Sequence, residues 1–361
     1  MRLALMALSP PSSSISFLQF PCSSSSPLPL LPLPPSSSPH YRRRAFSTLQ
    51  FCCRTPINHT RRRTQHRLAV LASPVVKPQA SSVTREPMLP PYNVVITGSS
   101  KGIGYALAKG FLAAGDNVII CSRSAERVES AVESLRKEFG EQHVWGTTCD
   151  VRQGQDVKNL VAFAKENLKY VDIWINNAGS NAYSYKPLSE SSDEDLIEVV
   201  TTNTLGLMIC CREAIKMMLN QPRGGHIFNI DGAGSDGRPT PRFAAYGATK
   251  RSVVHLTKSL QAELQMQDVR NVVVHNLSPG MVTTDLLMSG ATTKQAKFFI
   301  NVLAEPPEVV AEYLVPNIRS IPTNGSTRPT YIRFLTGIKA YSQIFSRFAF
   351  GARRNRHVLE D

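Results

Sequence analysis

Acidic residues are missing from the first 85 positions of this 361-residue chain; the first is Glu86. The same stretch is dense in serine and proline and holds 11 of the 41 lysines and arginines, with runs at Arg42-Arg43-Arg44 and Arg61-Arg62-Arg63. Beyond it stand 30 bases against 27 acids, so the formal net charge of +14 falls to +3. The basic balance therefore belongs to the leader, and it gives no support to a nucleic-acid-binding domain. An acid-free segment rich in arginine and serine has the composition of an organelle transit peptide, and the early Ser/Pro runs favour a plastid over a mitochondrion. A disordered regulatory tail would share that composition. Residues 1–80 are expected to be a plastid leader that is removed.

Long apolar runs are also lacking. Leu3 to Leu8 and the proline-broken Leu28 to Leu33 fall far short of the ~20 residues a membrane span needs. The mature protein is expected to be soluble or peripheral. None of the seven cysteines has a CxxC or Cys/His metal spacing. Cys22, Cys52 and Cys53 lie in the leader, while Cys121, Cys149, Cys210 and Cys211 read as buried thiols in a reducing compartment, and no metal site is expected. Internal repeats and heptads are absent.

What remains is a regular alternation. After Pro90-Pro91, strand-like runs at Asn93–Ile96, Asn117–Cys121, Val144–Thr148, Asp172–Ile175, His226–Ile230 and Val272–Asn276 are separated by longer amphipathic stretches, including Ala125–Phe139 and Asp156–Leu168. Continuous apolar strands alternating with helices imply a parallel sheet covered on both faces: an α/β, doubly wound Rossmann-type single domain over 90–320. Ligands bind such a sheet at the carboxyl ends of its strands. Residues 321–361 differ. Tyr331–Leu335 reads as a last strand, and Ile338, Tyr341, Ile344, Phe345 and Phe348 form an apolar stripe flanked by Lys339, Arg347, Arg353, Arg354 and Arg356. The stripe reads either as a helix packed on its own core or as a basic amphipathic element for an anionic membrane or a partner.

The strand ends carry the chemistry. Thr97-Gly98-Ser99-Ser100-Lys101-Gly102-Ile103-Gly104 follows the first strand and opens a helix. Glycines there admit a pyrophosphate to the backbone, and a helix N-terminus offers unpaired N–H groups. The second strand ends in Ser122-Arg123 with no acid to accept from a ribose 2′-hydroxyl, and Lys101 adds a cation; NADPH is preferred, with NADH as the alternative. Asp150-Val151 closes the third strand, where the carboxylate can reach an adenine amino group. Asn177-Ala178-Gly179 closes the fourth; Asn177 reads equally as a cofactor contact and as a tie between strands. Tyr246 and Lys250 stand at i and i+4, where an ammonium can lower the pKa of a phenol that hands on a proton. Tyr105 and Lys109 share that spacing, so spacing alone assigns nothing.

In this order and spacing, TGxxxGxG, Asn176-Asn177-Ala178-Gly179, Asn203, YxxxK and Ser278-Pro279-Gly280 resemble the short-chain dehydrogenase/reductase family. The resemblance covers nearly all of 92–290. It implies nicotinamide-dependent hydride transfer with an Asn-Ser-Tyr-Lys set, here Asn203, Tyr246 and Lys250. It further implies that Lys250 binds the nicotinamide ribose, that Asn203 holds a water feeding protons to the lysine, and that Thr283, after Pro279-Gly280, touches the cofactor. Tyr105 is then packing. Where the family has its serine, this chain runs Asp231-Gly232-Ala233-Gly234-Ser235; Ser235 is taken as the replacement, Asp231 is the other option, and Gly232 is expected to make room for a bulky, flat substrate.

That segment, with Ser278 to Leu287, is similar to plant chlorophyll(ide) b reductases of the non-yellow-colouring type, most of all their shorter form without membrane spans. The similarity implies NADPH-dependent reduction of the formyl group of chlorophyll b or chlorophyllide b, at the stromal side of the thylakoid membrane in the chloroplast. It also implies a homo-oligomer or a hetero-oligomer with a related membrane-bound reductase, and light-harvesting complex proteins as partners. The alternatives are a plastid ketoacyl or other carbonyl reductase, and a catalytically weak cofactor-binding scaffold.

Overall fold

The structure, a computed structural model, describes residues 88–360; the expected plastid leader lies outside the described residues. Seven strands, β1 (Asn93–Thr97), β2 (Asn117–Ser122), β3 (Val144–Thr148), β4 (Ile173–Asn176), β5 (Gly225–Ile230), β6 (Val272–Ser278) and β7 (Tyr331–Arg333), form one sheet in the order β3-β2-β1-β4-β5-β6-β7. Every neighbouring pair is parallel. The order reverses between β1 and β4, the switch point of a doubly wound sheet.

Ten helices complete the domain: α1 (Gly102–Ala113), α2 (Ala125–Phe139), α3 (Gly154–Leu168), α4 (Asp193–Val200), α5 (Leu207–Leu219), α6 (Ala244–Met266), α7 (Asp285–Met288), α8 (Lys294–Leu303), α9 (Pro307–Thr323) and α10 (Gly337–Phe350). Alternation along β1 separates two cores. Val94 and Ile96 join Leu107, Phe111, Leu314 and Ile318 on one face, whereas Val95 joins Leu160, Met218, Val253 and Leu264 on the other. Both faces are covered, which is why the strands read as unbroken apolar runs. The expected strand and helix positions hold to within a residue or two, apart from the last strand, which stops at Arg333.

The C-terminal segment begins with the expected last strand and departs from expectation in its helix. Strand β7 hydrogen-bonds to β6 and Phe334 is buried in the core, so this strand completes the main sheet. Helix α10 turns its stripe outward: Ile338 is 86% exposed, Phe345 67% and Phe348 75%. Its arginines are instead tied inward. Arg347 pairs with Glu360, while Arg353 and Arg356 hold Glu305 at 2.8 and 2.9 Å. The segment is therefore not a helix packed by its apolar side, and of the arginines from Arg347 onward Arg354 alone stays exposed without a recorded ion pair among the described residues.

Deep in the sheet, His275 accepts from Thr330 N (3.1 Å), contacts His226 at 3.1 Å, and stacks on Phe228. Burial pushes its pKa down to about 3, so the folded protein keeps this ring neutral. The unfolded chain protonates it below ~6.5, and stability present above that pH is lost as pH falls toward the folded value. Urea unfolding between pH 7 and 5 is expected to show a loss approaching ~1.4 kcal/mol per unit below 6.5 from this group, with a shallower slope in His275→Leu.

Candidate active site

The turn after β1 is built for close approach. Gly98 lies at φ +64, in the left-handed region. At Gly104 a Cβ would fall 2.4 Å from Asn177 Nδ2 and 2.6 Å from Gly98 O, so only glycine brings this helix so near the turn. Asn177 Nδ2 donates to Thr97 O and Gly98 O (2.9 and 2.8 Å), and Thr97 Oγ1 accepts from the main-chain N–H groups of Asn177 and Ala178. The strand-tying role of Asn177 is thus realised. Buried Ser99 bridges Ile96 O and Cys121 N, and Ile103 packs on the core. No side chain caps α1, so the N–H groups of its first turn, beside Ser100 and Gly102, stay open toward a ligand. This fits a nucleotide pyrophosphate.

The cations expected at a 2′-phosphate are engaged. Lys101 Nζ donates to Asp285 at 2.6 Å and to Tyr183 at 3.4 Å, linking the turn to α7. Arg123 faces Glu198 at 3.5 Å, and Ser122 Oγ donates to Ser124 O. Asp150 is held below the usual carboxylate range by Arg152, which it pairs with at 2.6 Å, despite the upward push of burial. The Lys101 and Arg123 pairs are half-exposed, worth little each and open to exchange for a phosphate. Val151 packs beside Gly206. Across the cleft, Gly280 brings the chain against Leu335 just after Pro279, and Thr283 N donates to Glu305 O at 3.0 Å.

A π-helical turn, Thr201–Gly206, joins α4 to α5 and carries Asn203 inward, a frequent device at functional sites. Asn203 Oδ1 accepts from Ser180 N (2.8 Å), and Nδ2 donates to Ser180 O and Thr249 Oγ1 (2.7 and 3.0 Å). Both amide hydrogens are spent. Its side chain clamps the loop after β4 to α6. A Cβ on Gly179 would stand 3.4 Å from Asn203 Oδ1 and 3.6 Å from Lys250 Nζ, which places the three together.

Lys250, 6% exposed, donates from Nζ to Ile230 O at 3.2 Å and lies 5.6 Å from the centre of the Tyr246 ring. Burial lowers its pKa to about 8, against an upward pull from Asp231. Burial and the Asp231 charge both push the Tyr246 phenol above its ordinary value. The lowering expected from Lys250 is outweighed here by burial and the Asp231 charge, and Tyr246 keeps its proton. The matching pair elsewhere is packing. Tyr105 meets Ser134 on α2, and Lys109 meets Glu138 on α2.

The missing serine has a spatial consequence. A Cβ on Gly232 would fall 2.5 Å from Tyr246 Oη and 3.2 Å from Lys250 Cγ. The space freed there is taken by the reacting phenol, not by substrate, which corrects that expectation. Beside it Asp231 is buried, and burial raises its pKa against the pull of Tyr331, Ser278, Ser235 and Lys250. Tyr331 on β7 donates to Asp231 Oδ2, whereas Oδ1 has no partner in hydrogen-bond geometry. Ser235 is buried and turned toward Asp231 and Tyr331. The structure thus joins Tyr246 and Lys250 directly, Asn203 to their helix through Thr249, and Ser235 through Asp231. Tyr331, Thr249 and Glu198 were missed: each meets its partner only through tertiary packing, and no local pattern marks them. Among the described residues no cluster of His, Cys, Asp and Glu could hold a metal ion.

A doubly wound sheet, a glycine turn at its switch point and a Tyr-Lys-Asn set define a nicotinamide-type oxidoreductase site. Residues 92–295 match the short chain dehydrogenase family, and the chain belongs to it. It is 78% identical over 298 residues to chlorophyll(ide) b reductase NOL of Arabidopsis thaliana, covering 82% of this chain and 85% of that protein. To the protein of the same name in Oryza sativa subsp. japonica it is 83% identical over 277 residues (77% and 81% covered). A solved actinorhodin polyketide ketoreductase variant with NADPH superposes at TM-score 0.59 with 27% identity, covering 68% of this chain and 96% of that one. Gly104→Ala is expected to abolish nicotinamide-nucleotide binding, read by fluorescence titration, because its Cβ has no space without moving Asn177 and the turn.

Proposed function

We propose that this chain is an NADPH-dependent chlorophyll(ide) b reductase, turning the formyl group of the pigment into a hydroxymethyl group. The observation that carries the reading is Tyr246 beside the buried Lys250 and a nucleotide turn, in a chain 78% and 83% identical to two chlorophyll(ide) b reductases. When bound, NADPH supplies the hydride that adds to the formyl carbon. Gly98 to Gly104 and the first turn of α1 hold its pyrophosphate, and Arg123 and Lys101 exchange their present acids for its 2′-phosphate.

Tyr246 donates its proton to the oxygen that becomes an alkoxide. A phenol whose pKa is raised keeps that proton at neutral pH, the form a reduction consumes. Lys250, fixed by Ile230 O, places its ammonium beside the phenol, and Asn203 locks the loop that closes over Lys250. In place of the serine, the Asp231–Ser235 turn makes the second polar contact to the carbonyl oxygen, with Ser235 donating.

Placement in the chloroplast, peripheral to the thylakoid on its stromal side, belongs to the same proposal. The outward apolar face of α10 supports it, and no helix among the described residues is long and apolar enough to cross a membrane. Exposed Ile197, Val200, Leu205 and Met208, along α4 to α5, support pairing with a second copy or a related reductase.

Tyr246→Phe is expected to remove pigment reduction, followed by absorbance, while NADPH still binds; full activity would refute the assignment of the acid. Ser235→Ala is expected to lower kcat about 100-fold, as for loss of one donor to a developing oxyanion; an unchanged kcat would take Ser235 out of the reaction.

A further inference from the structure

Helix α10 is built inside out. Ile338, Tyr341, Phe345 and Phe348 fall at i, i+3, i+7 and i+10, one stripe down the helix, and all four are exposed. Phe350 meets Phe345 edge-on at 6.3 Å and is exposed too. The polar side is the one that faces the protein. Gln343 donates to Glu305 at 3.4 Å, while Arg347 pairs with Glu360 and stands 5.4 Å from the centre of the Phe298 ring on α8. Water alone favours the opposite rotation, with the rings inside and the guanidinium out.

The chain beyond the helix holds this rotation. Arg353 donates to Ala304 O and to Glu305, both at 2.8 Å. Buried Asn301 accepts at Oδ1 from His357 N and Val358 N (2.7 and 3.0 Å). These bonds stitch the tail to the end of α8, so turning the rings inward would break them. The patch therefore calls for an apolar phase from outside the chain.

Charge identifies that phase. Between Glu312 and Glu360 the chain has no acid and eight lysines and arginines. Glu305 and Glu360 are spent on Arg347, Arg353 and Arg356. From α10 onward two cations have no recorded ion pair among the described residues: Lys339, partly buried over the Phe334 ring (3.6 Å), and exposed Arg354. Outward aromatic rings with cations and no unpaired acid suit a bilayer that carries anionic headgroups. A second copy of the chain suits them less. Two-fold contact through this face brings the same cations of both copies together, with no acid of the segment to answer them.

The patch also adjoins the active site. Phe348 meets Phe298 of α8 at 5.8 Å, and α8 follows α7 in the chain. The α7 segment spans the cleft. Asp285 holds Lys101 of the nucleotide turn, Leu286 O accepts from Asn181 after β4 (3.0 Å), and a Cβ on Gly290 would stand 2.9 Å from Phe243 before α6.

We propose that α10 lies in the headgroup layer of an anionic lipid bilayer with Phe345 and Phe348 inserted, and that this seat turns the α7–α8 side of the active-site cleft toward the lipid. No helix among the described residues is long and apolar enough to cross a membrane, and the contact is in its plane. A pigment dissolved in the bilayer then reaches Tyr246 without crossing water. The docking stands on the patch alone; the delivery rests on the reductase reading above.

The test uses the full chain, in which the residues before Glu86 are common to all variants. Wild type, a Phe345→Ser/Phe348→Ser double variant and Arg354→Gln are sedimented with vesicles of phosphatidylcholine, alone or with phosphatidylglycerol. The double variant is expected to partition ~100-fold less to both, from roughly 10-fold per ring. Arg354→Gln is expected to lose ~5-fold on the anionic vesicles only. Phe345→Trp reports insertion as a blue shift of its emission, relative to wild type, when vesicles are added. Unchanged partitioning of the double variant, no blue shift, or a lipid-free dimer that the double variant abolishes would overturn the docking. With chlorophyll b held in the vesicles, turnover by the double variant is expected to fall in step with its binding. Its kcat and KM for chlorophyllide b in vesicle-free solution are expected to stay those of wild type. An equal loss on both substrates would overturn the delivery. Wild type that binds vesicles and NADPH but reduces neither pigment would overturn the reductase reading and leave the docking in place.

Discussion

The site depends on one buried ammonium. Lys250 is buried with its Nζ on the Ile230 carbonyl, and burial brings its pKa from the ordinary 10.5 to about 8. A shift of that size corresponds to roughly 3 kcal/mol against the charged form. The fold meets this cost with β5, which presents Ile230 O, and with Asp231, the nearest opposite charge. The Asn203 clamp then closes the loop after β4 over it. Remove the sheet edge and the lysine has no carbonyl; remove the clamp and water reaches the ammonium. Tyr246 shares the same apolar surroundings, which hold its proton on.

Gly232 follows from that arrangement. The phenol leans into the volume where a Cβ would stand, so a larger residue there and this position of Tyr246 exclude each other. The polar work moves to the next turn, where Asp231, Ser235, Ser278 and Tyr331 form a buried cluster with one carboxylate oxygen, Oδ1, left without a partner. In a low-dielectric interior such an oxygen is costly. The cluster is also where the C-terminal strand matters to the chemistry: β7 completes the sheet and delivers Tyr331.

Much of this was legible in the sequence. The strands announced themselves because a sheet covered on both faces requires unbroken apolar runs, as in Val94-Val95-Ile96 and Val118-Ile119-Ile120. The glycine turn was legible because its chemistry is local, and Tyr246 because of its place after β5. Its twin at Tyr105 spends its hydroxyl on a neighbouring helix. Tyr331 was not legible, since 100 residues separate it from Asp231. The π-turn at Thr201–Gly206 leaves no mark in residue pattern. The stripe on α10 misled for a physical reason: amphipathic spacing says that a helix has an apolar side, not which way that side faces, and here Glu305 and Glu360 draw the arginines inward. The cations expected at a 2′-phosphate are a milder case: Lys101 and Arg123 are paired with Asp285 and Glu198.

The claim that binds these observations is direct hydride transfer to a formyl carbon with Tyr246 supplying the proton. It is tested most directly by incubating the purified protein with chlorophyllide b and NADPH fully deuterated at C4 of the nicotinamide, then recording the mass of the pigment product. The account predicts a hydroxymethyl pigment carrying one deuterium on the former formyl carbon. A reduced product without that deuterium, or no reduction of the pigment by a protein that binds NADPH, would contradict it.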